Sequence, residues 1–182
     1  MGGKWLELLM QIAPGVKRVA AMFNPETAPY VGPYYLSAFN DAAQSFKIAP
    51  IVAPVRDDIE IESVIASLGR EPGGGLVVLS DAFMVVHRAP IISLAALHKV
   101  PAVYFVRGWV GEGALLSYGA DIGDLFRRAA SYVDTLLKSE RPGELPVQLP
   151  TKFEMAVNVK TATALDLTVP PSILVGADEV IE

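Results

Sequence analysis

Val16-Lys17-Arg18-Val19-Ala20-Ala21-Met22-Phe23 is a near-continuous apolar run, and a Pro14-Gly15 stop separates it from the helical face Trp5, Leu6, Leu8, Leu9 and Ile12. Such a run reads as a strand buried in a parallel sheet. The same alternation repeats downstream. Tyr34, Leu36, Phe39, Ala42, Ala43 and Phe46 fall at helical spacing before a β-rich run from Ala49 to Val55. Asp57 or Asp58 can cap a third helix with the apolar face Ile61, Val64, Ile65 and Leu68. The Pro72-Gly73-Gly74-Gly75 turn then launches a third strand, Leu76 to Ser80, and a helix from about Pro90 to Lys99 leads into a fourth, Ala102 to Val106. Strands alternating with single helices imply right-handed βαβ units and a parallel sheet covered on both faces. The fold expected is therefore α/β, a Rossmann-like three-layer α/β/α lobe over residues 1–113.

Beyond it the rhythm changes. Gly108, Gly111 and Gly113 form a candidate hinge, and Ala114 to Tyr118 reads as another strand. Asp121 caps the clearest helix, with Ile122, Leu125, Phe126, Ala129, Val133, Leu136 and Leu137 on one stripe and Arg141-Pro142-Gly143 as its stop. Lys152 to Val159 alternates apolar and polar residues, the mark of a half-buried strand.

Composition narrows the function classes. Of 182 residues, 52% are hydrophobic and 19% charged, which argues for a dense core and against disorder. A net charge of -5 without a Lys or Arg cluster leaves no electrostatic footprint for nucleic acid or an anionic membrane. Without cysteine there is no disulfide framework and no thiolate metal site. No apolar run reaches the length of a membrane span, and the amphipathic start after Met1 lacks the pattern of a secretory signal.

No cofactor is expected. The glycines at 73–75 do not make GxGxxG, and no GxxxxGK[ST] occurs. His87 and His98 read as surface or helix-end residues outside any metal spacing, and Ser117 lacks both a nucleophile elbow and a following histidine. In an open parallel sheet, ligands sit beyond the carboxyl ends of the strands. There the sequence places Asn24, Glu26, Thr27 and Tyr30 after the first strand, Asp81 and Phe83 after the third, and Arg107 and Trp109 after the fourth. Polar anchors mixed with rings suit a zwitterionic solute: Arg107 or backbone amides for a carboxylate, Asp81 or Glu26 for an ammonium, Tyr30, Phe83 or Trp109 for the side chain. Each has a plainer reading too, with Asn24-Pro25 a turn, Asp81 a helix cap, Arg107 a solvated charge and Trp109 packed against the hinge.

The C-terminal blocks Leu145-Pro146-Val147-Gln148, Pro150-Thr151-Lys152-Phe153-Glu154, Asn158-Val159-Lys160-Thr161-Ala162, Pro170-Pro171-Ser172 and Ala177-Asp178-Glu179-Val180-Ile181 resemble the signature of a family of solute-binding proteins of bacterial ABC transporters, typified by tryptophan and tyrosine binders. Weaker blocks are Gly3 to Leu9, Asn24-Pro25, Ser80 to Phe83 and Leu116 to Gly119, and the resemblance adds Tyr118 to the ligand-site candidates. It implies a type I periplasmic-binding-protein fold, in which two lobes close on a small organic solute and deliver it, unchanged, to a membrane permease. It also implies a periplasmic location, and the missing leader then points to an internal start with most of the first lobe absent. By this reading residues 1–113 are the second, ligand-binding lobe, 114–142 a strand and helix of the first lobe, and 143–182 a return segment. The stripe from Ile122 to Leu137 would then have no sheet to cover, and a homodimer is expected. Two competing readings are a small enzyme using Asp81 and Glu26 as acid and base, and a truncated, non-binding interaction module.

Overall fold

The computed structural model describes residues 1–138 and 141–182, so Ser139 and Glu140 of the 114–142 segment lie outside the described residues. Seven strands form one sheet: β1 (Arg18–Phe23), β2 (Ala49–Pro54), β3 (Gly74–Val78), β4 (Ala102–Tyr104), β5 (Leu116–Ala120), β6 (Phe153–Asn158) and β7 (Glu179–Ile181). Their order is β2-β1-β3-β4-β5-β6-β7, and every neighbouring pair is parallel except β5 with β6. The protein is thus α/β, with a mostly parallel sheet flanked by helices.

Alternate residues of β1 explain the unbroken apolar run from which the fold was inferred. Val19, Ala21 and Phe23 join a core roofed by α1 (Gly2–Ile12) and α2 (Ser37–Phe46), whose Trp5, Leu6, Leu9, Phe39 and Ala43 are buried. Ala20 and Met22 face the opposite core, closed by α3 (Asp58–Gly69) through Ile61, Ile65 and Leu68. The short α4 (Ala82–Val86) adds Met84 to that core, and α5 (Arg88–Leu97) adds Ile91, Ile92 and Ala95. With both faces covered, Val19 to Phe23 are apolar without a break. Asp57 caps α3, its carboxylate accepting from the Glu60 N–H at 2.8 Å. His87 and His98 lie at helix ends, His87 between α4 and α5 and His98 at the C-terminus of α5.

β2 is an outer strand. The Ala49 and Val55 N–H groups donate to the Lys17 and Phe23 carbonyls at 2.9 Å each, so odd-numbered residues face β1 and even-numbered ones face outward. Two of those outward positions, Pro50 and Pro54, have no N–H, which leaves Val52 as the outward donor of the strand.

The latter part of the chain departs from expectation in two places. The strand assigned to a first lobe is β5 of this same sheet, paired with β4 through Val103–Leu116 and Tyr104–Ser117, because Leu115 and Leu116 are buried in its core. The glycine-rich stretch is no hinge: Arg107–Glu112 is a 3₁₀ helix whose Trp109 and Val110 are buried, tied down by the Ala114 N–H donating to the Trp109 carbonyl. The tail, read as part of a return segment packing on this lobe, adds α7 (Val159–Ala164), α8 (Pro171–Gly176) and β7, with Ala162 and Ile173 in the core.

α6 (Ile122–Leu137) stands apart from this packing. Asp121 caps it by accepting from the Asp124 N–H at 3.0 Å. Yet none of its 16 residues is buried, and Phe126 and Leu137 on the apolar stripe are 73% and 81% exposed. No helix among the described residues is long and apolar enough to cross a membrane.

Candidate functional site

The carboxyl ends of β1, β3, β4 and β5 share one edge of the sheet, and the residues expected there sort into groups. Asp81 is buried and accepts three hydrogen bonds: one carboxylate oxygen accepts from Thr27 Oγ1 at 2.5 Å and the Phe83 N–H at 2.8 Å, the other from the Asn24 N–H at 2.6 Å. Asn24, also buried, turns the loop by accepting from the Glu26 and Thr27 N–H groups. Together they bind the β1 loop to the start of α4. Glu26 is exposed and 3.5 Å from Arg56, and Tyr30 is 70% exposed. Phe83 stacks on His87 with ring centroids 3.8 Å apart.

Arg107 is already paired. Its guanidinium donates to Glu179 at 2.6 Å and to Glu154 at 2.9 Å, and these bonds hold it charged by raising an already high pKa. This clasp ties the end of β4 to β6 and β7. Trp109 is 4% exposed, its ring edge-on to Phe105 and Tyr104 at 4.9 and 5.9 Å, so it is a core residue. Tyr118 stacks on Phe153 at 5.8 Å, and its side chain lines a shallow hollow against α1 and α8.

The cleft at the strand ends is built mainly from other residues. It measures about 370 Å³. Trp5 of α1 and Tyr34 and Tyr35 from the π-helical turn Gly32–Leu36 make one wall. Ser80 after β3, Phe105 after β4, and Gly119 and Ala120 ending β5 make the floor. Ile122 and Leu125 of α6, with Leu149, Pro150 and Phe153, make the other wall. The Trp5 indole N–H donates to the Tyr118 carbonyl at 2.7 Å and its ring lies 5.3 Å from that of Tyr35, which fixes both rings. Burial, reinforced by the Tyr34 phenol, pushes the Tyr35 hydroxyl above its ordinary value, so it stays a neutral donor. Gly119 is required by close approach: a β-carbon there would sit inside the Phe105 carbonyl.

A second ion pair sets the far wall. Lys152 Nζ donates to Asp121 at 2.7 Å while the Asp121 N–H donates to the Lys152 carbonyl at 3.0 Å, pinning the chain as it leaves β5 to the chain as it enters β6. Lys152 and the Asp124 N–H hold the Asp121 carboxyl below the usual carboxylate range. Among the described residues no group of three or more His, Asp or Glu side chains is arranged to hold a metal ion.

The chain matches the family described as ABC transporter substrate binding protein over residues 3–181. It is 26% identical over 165 residues to the tyrosine-binding protein of Clostridioides difficile (strain R20291), covering 90% of this chain and 47% of that one. It superimposes with a TM-score of 0.87 on a conserved domain protein from Vibrio cholerae O1 biovar El Tor, at 23% identity over 98% of this chain and 60% of that one. The same score is reached with the ABC domain in complex with L-Trp from Streptococcus pneumonia, at 22% identity over 99% of this chain and 60% of that one. These structural likenesses establish the fold, and the chain spans about half the length of the curated relative it matches. A family match that runs through α1, the whole sheet and the C-terminal strand leaves one assignment: the chain is a member of the ABC transporter substrate-binding protein family.

Proposed function

We propose that this chain is the part of an ABC importer's binding protein that holds a small, amino-acid-like solute bearing an aromatic or branched side chain. It binds without chemical turnover and passes the solute to a membrane permease from the periplasmic or extracellular side. The observation that carries this reading is the ring-lined cleft at the carboxyl ends of β3, β4 and β5, where α/β sheets place their ligands. The relatives support it: one is named for tyrosine binding and one was solved with L-Trp. Asp81, holding three donors of its own loops, and Glu26, exposed beside Arg56, are each engaged with the protein and not with one another.

Thermal unfolding in the presence of single amino acids, organic acids and sugars tests the reading. At a hundredfold excess over Kd an aromatic amino acid adds about 2.7 kcal/mol of stability, which for a chain of this size is a rise in Tm of about 5–11 °C. Arg107→Ala retains that rise, because the guanidinium is committed to Glu154 and Glu179. If no solute shifts the transition, the reading fails.

The exposed stripe of α6 calls for a cover, and in this chain the cover is a second copy. Phe126 and Leu137 would each contribute about 1.5–3 kcal/mol on full burial. The sheet edges offer poor alternatives, since β2 carries its two prolines and β7 has three residues. Light scattering at micromolar concentration is expected to give a dimer, and the double substitution Phe126→Glu and Leu137→Glu a folded monomer. A monomeric parent chain overturns the dimer.

A further inference from the structure

Resting on the solute-binding reading above, we infer that this lobe recognises only the uncharged ring of its solute, and that the solute's ammonium and carboxylate are held by groups outside this lobe. The cleft is walled by the rings of Trp5, Tyr35, Phe105 and Phe153, and its lining residues, Met1 at the chain's amino end among them, include no charged side chain. The two charges nearest in sequence to its floor are committed elsewhere. Asp81, next to Ser80, accepts from three donors of its own loops, and Arg107, two residues beyond Phe105, donates to two glutamates. The Trp5 N–H is spent on the Tyr118 carbonyl, so the polar groups of the lining residues are the Met1 amine, the Ser80 hydroxyl, the tyrosine phenols and backbone.

A charged end placed among these rings would lose its hydration without gaining a side chain of opposite charge, a cost that drives it out toward the open side of the cleft. A flat apolar ring meets the opposite balance, gaining burial and ring-on-ring contact. The cleft volume, about 370 Å³, lies near the lower end of the roughly 300–1,000 Å³ usual for small-molecule sites and suits one ring system. Sugars and polyols, which need several polar side chains around the ring, find one serine hydroxyl and two phenols.

The test is calorimetric titration of the 182-residue chain with a matched set: L-tryptophan, tryptamine lacking the carboxylate, indole-3-propionate lacking the ammonium, and 3-methylindole lacking both. All four are expected to bind within about threefold of one another, and Ser80→Trp, which fills the floor from an exposed loop position, abolishes binding of all four while the fold persists by circular dichroism. Tenfold or tighter binding of L-tryptophan than of 3-methylindole shows that this lobe grips a charged end; the inference then falls and the solute-binding role stands. Retained binding in Ser80→Trp overturns the cleft as the site. If none of the four binds while another solute stabilises the chain in the thermal screen, the inference falls alone; if nothing stabilises it, both fall.

Discussion

Asp81→Ala lowers the stability of this chain by about 3 kcal/mol, combining a lost helix cap with a buried N–H left without an acceptor. For a chain of this length that is a fall in Tm of about 6–12 °C. The loss arises because one carboxylate serves three donors from two segments: Thr27 and Asn24 in the loop after β1, and the Phe83 N–H that opens α4. Asn24 is buried, so its N–H cannot turn to water when the acceptor is gone. Asp81→Asn falls between the parent and the alanine variant, because the amide keeps one acceptor oxygen and presents an NH₂ to a neighbouring donor. Had Asp81 served as the anchor for a ligand's ammonium, alanine would abolish binding and leave unfolding nearly unchanged. Chemical denaturation run beside ligand titration separates the two, and a stability change below about 1 kcal/mol would contradict the packing role.

Gly119→Ala is the second large effect. The added methyl would overlap the Phe105 carbonyl oxygen, and a backbone carbonyl just past the end of β4 cannot rotate aside as a side chain can. Overpacking costs about 1–3 kcal/mol in ordinary cores, and here the upper end is expected because β5 must shift. The shift also deforms the cleft, since Gly119 and Ala120 form its floor, so ligand affinity should fall at least tenfold. Denaturation midpoints and the same titrations measure both. A variant of parent stability and affinity would mean that β5 has room the structure does not give it.

The fold was legible in the sequence wherever both faces of a strand are covered. Val16 to Phe23 reads as a buried strand because Val19, Ala21 and Phe23 meet α1 and α2 while Ala20 and Met22 meet α3. Asp57 and Asp121 announced their helices because a cap is a local bond. The hinge placed on Gly108, Gly111 and Gly113 failed because glycine also permits the tight 3₁₀ turn that buries Trp109 between Tyr104 and Phe105. The sequence located the functional edge of the sheet but not the residues that face it. Asp81 and Arg107 looked like ligand anchors because charge is visible in a sequence while its neutralising partners, Thr27 and Asn24 for one, Glu154 and Glu179 for the other, come from distant positions. Trp5, Phe105 and Phe153 were hidden in the opposite way. Each sits in a pattern that also describes ordinary core, and only the end of a strand or the tilt of a helix turns such a ring toward a cleft.

The prolines at 50 and 54 also bear on how this chain survives crowding. A bare outer strand is a template on which identical molecules can stack, each adding its ladder to the last, until fibrils draw down the folded pool. Stacking needs a donor at every second residue, and here the ladder is broken at both ends of the strand. Addition of a like strand along β2 is therefore disfavoured, with Val52 as the outward donor left to it.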